Sequence, residues 1–234
     1  MDAFEKANPN ADIVLPKNDY RKIPDKTLRD IIGEIATLTV AEGDVFGKIY
    51  EYFLGKFALS EGQKGGEFYT PTSVVKLIVE IIEPHNGRIF DPACGTGGMF
   101  VQSAKFIRKH SDTPHISIYE QEKVAETTNL AKLNLFVNGL KGDIRNLDSS
   151  LSEAAYTDEY ADTLGKFDFV MANPPFNVDG VGVDDIGSHP LFSTYGLPLS
   201  MSKSGKKETT FSNANYLWIS LFANALTSRD GPGL

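Results

Sequence analysis

Asn173-Pro174-Pro175-Phe176 is a set of side chains and carbonyls suited to holding a planar amine. Asn173 offers an amide oxygen. The two prolines fix the backbone, give up their N–H donors and keep their carbonyls as acceptors. Phe176 adds a flat apolar face. The group could accept both hydrogens of an exocyclic amine lying on an aromatic ring. A second stretch runs Ile89-Phe90-Asp91-Pro92-Ala93-Cys94-Gly95-Thr96-Gly97-Gly98-Met99. Its glycines allow a turn that side chains would block, and a helix start presents unpaired N–H groups to polar ligand atoms. Glu120 lies 23 residues beyond Gly97, the spacing at which a strand-end acid accepts the two hydroxyls of a ribose. The plain alternatives are a proline-stiffened loop, a connecting turn and an acid at a helix start.

These residues need a sheet edge to bring them together. Arg88 to Asp91 reads as a strand. Met99, Phe100, Val101, Ala104 and Ile107 then fall on or near one helical face. Further strands read over 115–120, 142–148 and 166–172, with helices over 121–138 and 215–226. The last strand delivers Asn173 to its carboxyl end, where open α/β sheets bind ligands. Upstream, residues 1–25 are proline-punctuated and irregular, Leu28, Ile31, Ile32, Ile35 and Leu38 have helical spacing, and a second helix reads from Asp44 through Phe57. After a polar loop, Thr70 fits a helix N-cap with Pro71 at the first helical position. Residues 149–165 read as a surface excursion. Residues 177–215 read as irregular, with Lys203, Lys206 and Lys207 either solvated or set to meet phosphates.

Length and composition bound the rest. A chain of 234 residues with 41% hydrophobic content accommodates one large α/β domain plus an appendage. No apolar run reaches the roughly 18 residues of a membrane span, and Met1 to Lys6 shows no signal peptide. Cys94 is the single cysteine, so no internal disulfide can form, which fits a cytoplasmic location. The four histidines are scattered, without metal-ligand spacing. A net charge of −8 is awkward for a chain that grips nucleic acid alone, because phosphate contacts dominate that affinity.

Gly66-Glu67-Phe68-Tyr69-Thr70-Pro71, the Asp91 to Met99 turn and Asn173 to Phe176, in that order, resemble the modification subunit of type I restriction-modification systems. That is a family of N6-adenine DNA methyltransferases, and the likeness runs from about Leu28 to Leu234. It implies a doubly wound, Rossmann-like α/β sheet with flanking helices, dependent on S-adenosylmethionine (AdoMet). A lead-in over residues 1–62 would precede a catalytic domain over 63–234. It also implies strands beyond Leu234, so that the chain reads as cut at both ends. The resemblance assigns catalysis to Asn173, Pro174, Pro175 and Phe176. It assigns the cofactor to Glu67, Phe68, Tyr69, Thr70, Pro71, Thr72, Asp91, Gly95, Thr96, Gly97, Gly98 and Glu120. Asp148, or alternatively Asp143, would meet the cofactor adenine, although the strand there departs from the family's usual Gly-Asp or Gly-Asn pair. Phe68 or Tyr69 could lie against the sulfonium. Expected partners are DNA with a flipped adenine, a specificity subunit and a restriction subunit, with no membrane and no metal.

Cytosine-N4 or protein-glutamine methylation would use related amine chemistry. The Phe176 ending leans towards adenine, and the Gly66 to Pro71 element argues against glutamine. An NAD-dependent oxidoreductase would share the glycine turn and Glu120 but have no use for Asn173 to Phe176. An inactive assembly fragment is the non-enzymatic alternative.

Overall fold

The computed structural model describes residues 2–9, 13, 22–37, 49, 52–53, 70–110, 115–146, 165–176, 181–183, 210–211 and 215–227. Two helices, α1 (Asp2–Ala7) and α2 (Asp25–Thr37), precede the sheet domain. The helix expected from Asp44 is seen only at Ile49, Tyr52 and Phe53, and the rest of it lies outside the described residues. Then come α3 (Thr72–Ile82), β1 (Gly87–Asp91), α4 (Gly98–His110), β2 (Ile116–Glu122), α5 (Ala125–Val137) and β3 (Asp143–Asn146). The chain closes with β4 (Phe169–Val170), β5 (Val181–Gly182), β6 (Thr210–Phe211) and α6 (Asn215–Ala225).

The main sheet is parallel, in the order β3-β2-β1-β4. The order reverses at β1, so β2 and β4 flank it. In an open α/β sheet the crevice at that reversal is the ligand edge. Alternate residues of β1 face opposite ways. Ile89 joins a core with Val75, Val79, Phe100, Ile107, Ile118, Ile144 and Met171. Phe90, also fully buried, stacks on Phe167 with ring centroids 4.5 Å apart, and Tyr119 meets that ring edge-on at 5.4 Å. Both faces of the strand are covered, as in a doubly wound sheet.

The fold differs from the sequence reading at four places. Strand β2 runs two residues past Glu120, because Gln121 and Glu122 pair with Arg145 and Asn146, and α5 starts only at Ala125. Helix α3 starts at Thr72 with Pro71 at its N-cap and no side-chain cap bond, so Thr70 does not cap it. The segment read as irregular holds an antiparallel pairing of Val181 with Phe211, while Lys203, Lys206 and Lys207 lie outside the described residues. Parallel pairing beyond β4 begins before Leu234: Phe167 pairs with Leu226, its N–H donating to the Ala225 carbonyl (3.1 Å) and its carbonyl accepting from Thr227 (2.8 Å).

Candidate functional site

The candidate residues converge on the carboxyl edge of the sheet. Asp91 ends β1 and stands in register with Glu120 of β2. Just past β4 the Met171 N–H donates to the Phe90 carbonyl (3.0 Å), so Asn173 follows two residues after the last backbone bond to β1. Its four-residue element lies at the same edge as Asp91. Asn173 and Pro174 are half-buried, Pro175 is exposed, and Phe176 is 61% exposed, so its ring is open to a ligand.

The glycine turn is held by bonds from distant strands and helices. The Cys94 N–H donates to the Gln121 carbonyl (3.1 Å), and the Gly97 N–H donates to the Cys94 carbonyl (3.0 Å). The Gly95 N–H donates to Glu122 Oε2 (3.0 Å), while Glu122 Oε1 accepts from the Val124 N–H (3.0 Å). From α5, Asn134 Nδ2 donates to the Thr96 carbonyl (2.8 Å). Gly97 has φ of 73°, and a Cβ there would come within 3.4 Å of Glu120 Oε2 and 3.5 Å of Ala131 Cβ. Glycine at 97 therefore keeps the space beside the Glu120 carboxylate open. Gly98 opens α4.

Three acids and one thiol surround this turn. Asp91 accepts the Ala93 N–H at 2.9 Å. Burial pushes the Asp91 carboxyl up to about 8, against the Ala93 bond, and the charge of Glu122 adds to the rise. Glu120 is fully buried, and burial followed by the charge of Asp91 drives it well above the usual carboxylate range, with the Cys94 thiol pulling the other way. Burial, then the charges of Glu120, Asp91 and Glu122, raise the Cys94 thiol, which keeps it protonated.

A stability consequence follows for Asp91. Its folded pKa of about 8 lies above the ordinary 3.8, so between those values the folded state holds a proton that the unfolded chain has released. Stability is then fully present below the ordinary value and is lost as pH rises through the folded one. Asp91→Asn cannot ionise, yet its amide oxygen can still accept the Ala93 N–H. Melting the full-length protein from about pH 5 to about pH 9 should show the parent losing several degrees more than the variant. Parallel profiles would remove Asp91 as a buried titrating acid.

The structure brings Thr70, Asp91, Gly95, Thr96, Gly97, Gly98, Glu120 and Asn173 to this edge or its flanking turns. Asn173 Nδ2 donates to Thr70 Oγ1 at 3.0 Å, across 103 residues of sequence. Pro71 and Thr72 lead into α3. Glu67, Phe68, Tyr69 and Asp148 lie outside the described residues. Asp143, the alternative to Asp148, does not reach the edge. It sits at the amino end of β3 opposite Tyr119, exposed and held by Arg145 at 2.8 Å. Glu122, Asn134 and Asn146 were not singled out by the sequence reading. Asn146 Nδ2 donates to the carbonyls of Glu122 (3.0 Å) and Lys123 (3.2 Å) and to Thr128 Oγ1 (3.1 Å), closing β3 onto the end of β2. Strand periodicity carried a signal for Glu122, since it shares a face with Glu120.

The sequence signature of the family described as N-6 DNA Methylase matches residues 41–231. A methylase subunit of the type I restriction enzyme MjaIX from Methanocaldococcus jannaschii is 41% identical over 182 residues, covering 75% of this chain and 29% of the relative. The HindI methylase subunit from Haemophilus influenzae is 34% identical over 235 residues, covering 94% of this chain and 48% of the relative. The chain thus spans half or less of the length of these curated relatives. The crystal structure of a type I restriction-modification methyltransferase subunit from Streptococcus thermophilus superimposes with a TM-score of 0.67 at 26% identity. That match covers 88% of this chain and 42% of the other. Among the described residues, no helix is long and apolar enough to cross a membrane.

Proposed function

The chain belongs to the N-6 DNA methylase family, and from that premise we propose that the full-length protein methylates adenine N6 in DNA with AdoMet. It does so as the modification subunit of a type I restriction-modification complex. One observation carries the reading: Asp91 ends β1, Glu120 lies beside it in register on β2, and Asn173 to Phe176 follow β4, so all of them stand towards the carboxyl edge of three adjacent strands. A cofactor site and an amine site therefore share one crevice.

The residues fit AdoMet. Glu120 is a buried carboxylate suited to hydroxyl donors, and Gly97 leaves the space beside it open. Glu122, which accepts the Gly95 and Val124 N–H groups, adds negative character at the turn, which suits a cationic ligand. AdoMet supplies an electrophilic methyl group. Asp91, Gly95, Thr96, Gly97, Gly98 and Glu120 would hold it, with Glu67 to Thr72 and Asp148 completing the site.

The target amine is a weak nucleophile, because its lone pair is shared with the purine ring. Asn173 Oδ1 and the Pro174 carbonyl accept its two hydrogens and favour a pyramidal nitrogen. Positive charge then grows on nitrogen as the methyl is taken from sulfur, which keeps the C–S electron pair; the fixed dipoles stabilise that charge until the nitrogen gives up one hydrogen as a proton to solvent. Phe176 stacks beneath the base. A duplex adenine cannot reach this site unless it flips out, at a cost of a few kcal/mol, of which stacking on Phe176 recovers roughly 1–3 kcal/mol.

The net charge of −8 points to a partner for the DNA grip. Sequence-specific adenine methylation is expected from the full-length subunit joined to a specificity subunit, and not from the subunit alone. The assay is transfer of labelled methyl from AdoMet to unmodified genomic DNA, followed by nucleoside analysis. Label in N4-methylcytosine or in protein glutamine would replace the adenine assignment. Specific methylation by the isolated subunit would remove the partner requirement.

A further inference from the structure

The bond from Asn173 Nδ2 to Thr70 Oγ1 joins the amine-binding element to the start of α3 across 103 residues of sequence. Helix α3 makes no side-chain cap bond, so the hydroxyl that could have capped it is committed to Asn173 instead. An amide needs such a partner. Turning its plane over exchanges oxygen for NH₂ with little change in shape, yet the two faces have opposite chemistry. With oxygen forward, Asn173 accepts a hydrogen from an amine. With NH₂ forward, donor faces donor and nothing binds. The Pro-Pro backbone fixes where Asn173 sits but cannot choose between these orientations.

We propose that Thr70 is a positioning residue: its hydroxyl oxygen holds the Asn173 NH₂ and so turns Oδ1 towards the target amine. The inference rests on Asn173 being the amine acceptor in the proposed reaction. Thr70 Oγ1 spends one lone pair on Asn173 and keeps its single hydrogen to donate elsewhere. Each bond in such a chain polarises the next, which fixes the direction of the whole set. Thr70 also immediately precedes Pro71 and α3, so one hydroxyl ties the amine site to the start of that helix, beyond what the sheet alone provides.

The test uses the full-length subunit in its complex, in five forms: parent, Thr70→Val, Thr70→Ser, Asn173→Ala, and Thr70→Val with Asn173→Ala. Single-turnover methylation of unmodified genomic DNA is measured at saturating AdoMet, and melting of the cofactor-free subunit is measured separately. Valine keeps the shape of threonine without the hydroxyl. It should slow transfer by about tenfold, the order expected from losing one orienting bond, while serine should stay within about threefold of the parent. In the Asn173→Ala background, Thr70→Val should cost nothing further. The cofactor-free melting shifts of Thr70→Val and Asn173→Ala should likewise fail to add, since both break the same bond. A valine variant within about threefold of the parent, a loss that persists undiminished beside Asn173→Ala, or additive melting shifts would each overturn this inference alone. A parent complex that methylates no adenine would overturn the functional reading and this inference together.

Discussion

Asn173→Ala is expected to slow methyl transfer by about 10²–10³ while leaving AdoMet affinity almost unchanged. Asn173 stands three residues past Val170, the last residue of β4 paired with β1, whereas the proposed cofactor residues Asp91 and Glu120 lie on β1 and β2. The amide oxygen is proposed to touch the target amine and not the sulfonium. Removing a preorganised dipole aimed at developing charge costs about 3–4 kcal/mol in the transition state, or 10²–10³ in rate, by analogy with lost oxyanion-hole donors. Pro174 and Pro175 still set the loop, so the fold should survive. The substitution also strands the Thr70 hydroxyl, but that group is only half-buried and can turn to water. If Asn173 merely braced the turn, stability and cofactor affinity would fall together instead. Calorimetry with AdoMet and single-turnover methylation on one preparation of the complex separate the two cases. Turnover within about a factor of ten of the parent would show that Asn173 is not the acceptor.

Much of this site is local in sequence, and that part was legible. The glycine turn announces itself in consecutive residues, and Asn173 to Phe176 follows directly on an apolar run. What braces those residues is not local. Glu122 reaches the Gly95 N–H across 27 residues and Asn134 reaches Thr96 across 38. Periodicity can put Glu122 on the face of Glu120, but it does not name the partner of either residue, because that depends on how β2 and α5 dock. The start of α3 shows the same competition. Thr-Pro has the composition of a helix start, yet the Thr70 hydroxyl bonds to a residue that only the folded sheet brings near. The reach of β2 was underestimated for a related reason. Gln121 and Glu122 are polar and suit a helix start, and only pairing with β3 keeps them in the strand. The residue type at Glu120 was readable, but its full burial, which sets its chemistry, was not.

Glu120→Ala should weaken AdoMet binding by about 1–3 kcal/mol, roughly five- to 150-fold, the range for leaving polar partners unpaired. Glu120 is fully enclosed and lies in register with Asp91, so burial and a neighbouring like charge both oppose its ionisation. An acid in that position is a liability in the cofactor-free protein. Removing it should not lower the melting temperature above neutral pH, even though some space opens beside Gly97. Ribose hydroxyls would reverse the balance, because they donate to the ionised form and compensate for its lost hydration. Binding would then expel a proton from the site, and the parent's affinity should rise with pH until the elevated pKa is passed. Alanine at 120 removes Glu120's share of that dependence. Glu120→Gln keeps the volume but presents only one accepting oxygen, and its NH₂ opposes the second hydroxyl, so it should bind AdoMet more weakly than the parent too. A purely structural Glu120 predicts another pattern, in which both substitutions lower stability and affinity in step. Titrating AdoMet into the parent and both variants, across the same pH range used for melting, decides between them. Affinity in Glu120→Ala equal to that of the parent would place the ribose elsewhere.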